Sequence, residues 1–188
     1  MTGSKDLLRV KPEISGAKKQ KKLLANGSAS WRIAISKFGQ ARNRRAKSRS
    51  SMSKDYSKQI IKDYECWNLG VHSNQGYLGR CIVWCKRENA ADMSDATLEE
   101  QKELFVIIKE LKIALTKAFS PDWFNYSFLG NEMPHLHGHI VPRYKTSIKF
   151  LGTKFEDKLF GKHYKTDSHF LTTEVILLGV RDEIRKFI

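Results

Sequence analysis

Three histidines, His135, His137 and His139, alternate with single residues in the run His135-Leu136-His137-Gly138-His139-Ile140-Val141-Pro142-Arg143. Successive side chains of an extended strand point to opposite faces, so this spacing predicts three imidazoles in one row on one face. Each imidazole can donate, accept or attack near neutral pH. Four readings are open for such a row. The rings are satisfied structural groups, or they hold zinc or copper through neutral nitrogens, or one ring is a covalent nucleophile. In the fourth, the row lines a nucleotide-binding site without turnover. Phosphorus chemistry suits the nucleophile, because an imidazole nitrogen can displace a leaving group from phosphate to give a phosphoramidate that water hydrolyses. Such a site needs one ring oriented for attack, cationic or N–H donors for the phosphate oxygens, and an acid for the leaving group. Asn131 and a nearby arginine supply the remaining parts without a metal.

The elements that must position this row follow from the flanking pattern. Residues 55–65 read as a short helix or an irregular lead-in. Residues 66–72 and 78–86 read as strands, the second a near-continuous apolar run (Cys81-Ile82-Val83-Trp84-Cys85), with Ser73-Asn74-Gln75-Gly76 as turn chemistry between them. Thr97-Leu98-Glu99-Glu100 has capping-box spacing and opens a helix over 97–118, with Leu104, Ile107, Ile108, Leu111, Ala114, Leu115 and Ala118 on one face. Ser120-Pro121-Asp122 ends it. Strands are expected over 123–129 and 135–143, joined by a short loop. Residues 145–170 read as irregular and 173–188 as a terminal helix. Within them, the aromatic and basic stretch 150–163 is expected to pack against the sheet, with a flap over the substrate as the alternative. This order implies an α+β fold, an antiparallel sheet carrying its helices on one side.

Charge divides the chain in two. Residues 1–51 hold 14 Lys and Arg against Asp6 and Glu13, a net of +12, whereas residues 52–188 are nearly balanced at +2. A segment so charged and so poor in apolar residues cannot offset an ordering cost of roughly 1–2 kcal/mol per residue, so 1–51 reads as a disordered extension. A solvated tail, an arm for nucleic acid or another anionic surface, a transit peptide and an upstream-start artefact before Met52 all stay open. Residues 52–188 are expected to be the functional domain. Cys66, Cys81 and Cys85 form no CxxC pair and give no disulfide framework, which fits a reducing compartment. No apolar stretch reaches the roughly 20 residues that span a bilayer, so a soluble, cytoplasmic protein is expected.

The stretch Phe124-Asn125-Tyr126, then Asn131-Glu132-Met133-Pro134 leading into the histidine run and Tyr144, resembles the histidine triad (HIT) superfamily, whose motif is His-x-His-x-His with apolar spacers. The likeness extends upstream over the 78–86 strand and the 97–118 helix. It implies a HIT-like sheet with a long and a C-terminal helix, and metal-independent nucleotidyl hydrolysis or transfer at the α-phosphate of a nucleoside phosphate derivative. Dinucleoside polyphosphates, nucleoside phosphoramidates and adenylylated adducts are the implied substrates, with no cofactor. By position in the motif, His137 is the nucleophile, His139 contacts the phosphate and helps the leaving group depart, and His135 orders the site. Asn131, Arg80, Asn125 and Gln75 are the implied substrate-binding residues, Arg80 standing where several members carry a further histidine. Gly138 replaces a usual aliphatic residue, which loosens the strand or lets backbone approach ligand closely. His72, His163 and His169 carry no motif and read as surface or strand-end residues. A homodimer is consistent with the family. The rival functions are a nucleotide-binding interaction protein with little turnover and a DNA-adenylate hydrolase that uses the basic tail.

Overall fold

The computed structural model describes residues 56–188; the basic extension 1–51 and its junction with the domain lie outside them. After a 3-10 turn at Tyr56–Gln59, the chain forms β1 (Ile60–Asp63), β2 (Trp67–Val71), β3 (Cys81–Cys85), α1 (Leu98–Phe119), β4 (Trp123–Ser127), β5 (His137–Arg143), β6 (Ile148–Phe150), β7 (Thr153–Phe155) and α2 (Glu174–Arg185). The first five strands make one antiparallel sheet in the order β1-β2-β3-β5-β4, and β6 pairs with β7 apart from it. The α+β architecture expected from the sequence is the one observed.

Alternation assigns each sheet face its work. Leu69, Val71, Cys81, Val83 and Ile140 are buried in the core with the helices. Helix α1 meets them with Leu104, Ile107, Leu111, Ala114 and Leu115, all nearly inaccessible. Burying each such leucine or isoleucine contributes about 1.5–3 kcal/mol. The helix starts where the capping box demands: Thr97 Oγ1 accepts from the Glu100 N–H at 3.2 Å, and Glu100 Oε2 accepts from the Thr97 N–H at 2.8 Å. Glu100 also receives Arg87 Nε at 2.7 Å, and its carbonyl accepts from Trp67 Nε1 at 2.9 Å. One residue thus ties the helix start to β2 and to the chain leaving β3. Helix α2, capped by Thr173, buries Ile176, Val180 and Ile184 on the same side.

Two expectations need correction. Residues 60–63 are an edge strand rather than a helix or lead-in; Ile60 pairs with Gly70 and Asp63 with Asn68, with a bulge between. The apolar pair Ile60-Ile61 was too short to carry a periodic signal, and pairing to β2 decides its state. The stretch 145–170 also contains a hairpin, turning on Leu151 and Gly152, both at positive φ. That is the geometry of a primed two-residue turn, built here without the usual Asn-Gly.

Candidate active site

Strand β5 is an interior strand between β3 and β4, and its odd-numbered residues face away from the helices. His137 lies opposite Trp84, and His139 opposite both Ile82 of β3 and Ser127 of β4. His135 precedes the strand at a bend, yet joins the row because its Nε2 meets the Cys85 carbonyl at 2.7 Å. The His137 and His139 rings sit edge to face at 5.2 Å, while Trp84 stacks on His135 at 4.4 Å and on His137 at 5.3 Å. The predicted row is therefore assembled.

Its hydrogen bonds settle the tautomers. A carbonyl only accepts, so His135 Nε2 carries a proton toward Cys85. His137 Nδ1 must likewise be the donor to the His135 carbonyl at 2.7 Å. In the neutral ring this leaves His137 Nε2 with a free lone pair, on a side chain that lines the cleft. His139 Nδ1 is buried without a partner.

The even-numbered face of β5 explains Gly138. A Cβ there would lie 2.5 Å from the Phe128 ring, so the glycine makes room for an aromatic beneath the triad rather than for ligand above it.

A cleft of about 850 Å³ opens over the row. His137, His139, Arg80 and Asn131, four of the candidates from the sequence, line it together with Trp84. Histidines without a motif line it as well: His72 packs edge-on against His139 at 5.4 Å, and His163 stands in the facing wall. His72 Nδ1 is held by the Asn74 backbone, 3.0 Å from its N–H and 3.2 Å from its carbonyl. A histidine at the end of β2 has no sequence signal of its own; only the register that brings strand ends together reveals it.

Arg80, just before β3, is 4% exposed. Its Nη1 donates to Thr166 Oγ1 at 2.9 Å, its guanidinium lies 5.7 Å from the Tyr164 ring, and its Nε has no partner. A desolvated cation without a carboxylate is costly unless an anion arrives. It acts on its neighbours: burial first, then the Arg80 charge, pushes His139 down to about 3 and His72 down to about 4. Both rings are neutral at physiological pH. Burial also holds His135 below the usual imidazole range.

The wall opposite the sheet comes from far along the chain. Arg143, also on the odd face of β5, is buried against Asp157 at 2.6 Å and donates to the carbonyls of Leu159 at 2.5 Å and Lys162 at 3.0 Å. Tyr164 OH meets Ser127 Oγ at 2.7 Å. These ties bring His163, Tyr164, Lys165 and Thr166 over the histidines. Within 150–163, Phe150 packs on Phe119 of α1 rather than on the sheet, Asp157, Leu159 and Lys162 hold Arg143 of β5, and His163 reaches the cleft. Arg143 itself, the arginine nearest the triad in sequence, is spent on the wall.

Besides His135, which is buried and does not line the cleft, two candidates from the sequence are not brought to it. Gln75 is fully buried, with Nε2 donating to the carbonyls of His72 and Arg80 and Oε1 accepting from the Gly79 N–H, so it shapes the β2–β3 loop from within. Asn125 Oδ1 accepts from Arg143 Nη1 at 2.5 Å and borders a separate groove of about 640 Å³ behind the wall. Turn and strand-start asparagines and glutamines look alike in sequence whether they hold a ligand or a loop. Among the described residues, no group of three His, Cys, Asp or Glu side chains is arranged to hold a metal ion, and no helix is long and apolar enough to cross a membrane.

The HIT domain model matches residues 54–146. The chain is 29% identical over 86 residues to a bis(5'-adenosyl)-triphosphatase of Saccharomyces cerevisiae, covering 43% of this chain and 41% of that protein, so it spans about two fifths of the length of the curated relatives it matches. Among solved structures, a histidine triad protein from Bradyrhizobium japonicum shares the fold at a TM-score of 0.55 and 19% identity, over 69% of this chain and 89% of its own. The Plasmodium falciparum diadenosine triphosphate hydrolase, solved with cyclomarin A, shares it at 0.52 and 12% identity, over 85% of this chain and 96% of its own. With the histidine row, its strand and this fold in place, the chain belongs to the histidine triad family, and residues 54–146 are its HIT domain.

Proposed function

We propose that this protein is a metal-independent nucleotide hydrolase or nucleotidyl transferase acting at the α-phosphate of a nucleoside phosphate derivative. The observation that carries the reading is the commitment of His137 Nδ1 to the His135 carbonyl, which leaves Nε2 as a free nucleophile in the cleft. Attack forms an Nε2–P bond, breaks the bond from phosphorus to the leaving oxygen or nitrogen, and yields a nucleotidyl-histidine that water resolves. His139 enters neutral; a bound phosphate offsets the Arg80 charge beside it and lets the ring hold the proton that goes to the leaving group. His135 orders the row through Cys85. Arg80, with its unpartnered Nε, takes phosphate oxygens, and Asn131 on the exposed rim contacts the leaving group.

The buried guanidinium favours an anionic leaving group, as in a dinucleoside polyphosphate, over an amine. The likeness to the yeast bis(5'-adenosyl)-triphosphatase supports the same substrate. Residues 52–188 are the proposed functional unit, acting in the cytoplasm, with 1–51 as a basic extension available to nucleic acid. The outer strand β4 exposes Trp123 and Tyr126 beside an unpaired edge, which supports a homodimer formed by edge pairing. Light scattering of the purified chain reads that assembly directly.

The test is intact mass spectrometry of the full chain after brief mixing with diadenosine triphosphate, with His137→Ala beside it and released AMP assayed in both. AMP from wild type alone, with an AMP-sized adduct, is the expected result. No product and no adduct from either protein would overturn the reading in favour of nucleotide binding without turnover.

A further inference from the structure

Resting on the nucleotidyl-histidine reading, we propose that Trp84 is a positioning residue for the first step, its indole face orienting the His135 and His137 rings and stabilising the cation that His137 becomes on attack. Trp84 is 4% exposed, and its backbone lies directly opposite His137 in the β3–β5 ladder. The indole stacks on His135 with an interplanar angle of 14° and on His137 with one of 24°. Among the described residues it is the aromatic side chain stacked on both. The remaining imidazole contacts are edge-on: His139 meets His137 at 84° and His72 at 61°.

The charge balance of the step makes this stack matter. His137 starts neutral, with a proton on Nδ1 held by the His135 carbonyl. The Nε2 lone pair forms the N–P bond, and the electron pair of the breaking P–O bond departs with the leaving group. Nδ1 keeps its proton, so the ring becomes a nucleotidyl-imidazolium. A positive ring over an indole face gains electrostatically what a neutral ring does not. The gain therefore appears as the adduct forms and is absent when substrate merely binds. Arg80 stands at the His72–His139 end of the row and opposes positive charge there. Before a phosphate offsets the Arg80 charge, the two residues polarise the row, with cation favoured at the attacking ring and disfavoured at the far one.

The experiment measures single-turnover adduct formation by the full chain with diadenosine triphosphate across pH. Trp84→Leu, Trp84→Phe and protein grown on 5-fluorotryptophan are compared with wild type. Fluorine withdraws charge from the indole face and leaves its shape nearly unchanged. Trp84→Leu is expected to slow adduct formation about ten-fold with KM within about two-fold of wild type, and Trp84→Phe about three-fold. The acid limb of the profile moves to lower pH in Trp84→Leu. Fluorination slows wild type but not Trp84→Phe, which excludes effects through the other tryptophans. Equal losses in both variants with an unmoved acid limb and no effect of fluorine would leave Trp84 as a space-filler and overturn the proposal. If Trp84→Leu does not fold, Trp84→Phe and the fluorinated pair decide it alone. If wild type forms no adduct, the functional reading fails by itself. The His137 ring titration by NMR then judges Trp84: a midpoint lowered by fluorine sustains the stacking effect, and an unmoved one ends it.

Discussion

Arg143 and Asp157 form an ion pair in which both side chains are almost wholly removed from solvent, at 4% and 1% exposure. The pair joins the strand that bears the histidines to the wall that faces them. Breaking one partner of a buried pair strands the other charge, at a cost of about 3–5 kcal/mol. Asp157→Ala should therefore lower stability by that amount in urea unfolding. It should also raise KM, because 163–166 lose their tether. A variant with wild-type stability and KM would show the pair to be idle.

Arg80→Ala should weaken a phosphate-leaving substrate about 10- to 100-fold in kcat/KM, the range expected for one or two hydrogen bonds to a charged group. Turnover of a nucleoside phosphoramidate should fall much less. Steady-state kinetics on the two substrates separate the cases; equal losses on both would place Arg80 in folding instead of leaving-group recognition.

His72 and His139 are pushed down to about 4 and about 3. An unfolded chain takes up these protons near the ordinary imidazole pKa of about 6.5, before the folded one does. Folding stability should hold above that pH and decline as pH falls toward 4. His72→Asn should flatten part of the decline, as read from urea midpoints at pH 7 and pH 4.5. A curve no flatter than wild type would remove His72 from the account. Activity should fall over the same acid range, as His72 and His139 take up protons beside the cleft.

Gly138→Ala drives a methyl group into the Phe128 ring. Overpacking of this kind costs about 1–3 kcal/mol. Phe128→Leu should restore most of the stability in the double variant, and calorimetry would show whether the two changes couple. Additive losses would mean that the strand yields elsewhere.

Gln75→Ala should lower stability by roughly 1–3 kcal/mol, the cost of leaving buried partners unsatisfied, while KM stays near wild type. A KM effect larger than the stability loss explains would return Gln75 to the substrate site.

Much of this architecture is legible in the residues. Thr97 with Glu100 announces the helix start, the apolar run 81–85 announces β3, and strict alternation over 135–139 announces the row. What stays hidden depends on contacts between distant segments. Nothing near His72 in sequence says that the end of β2 meets β5, and nothing near Lys165 says that residues beyond β7 return to the sheet. Arg143 shows how a donor beside the triad is taken out of play: Asp157, fourteen residues on, claims it. Local chemistry proposes donors, and tertiary pairing decides which remain unspent.

The floor and the wall of the cleft have different origins. His137 and His139 sit on an interior strand paired on both sides, whereas His163 to Thr166 belong to an irregular segment tied down at a few points. Surface segments of that kind accept insertions and replacements far more readily than paired strands do. In the proposed function, chemistry and selectivity are thus carried on separable parts of one chain. A lineage can exchange the molecules it accepts by rewriting about four wall positions while the bond it breaks stays the same.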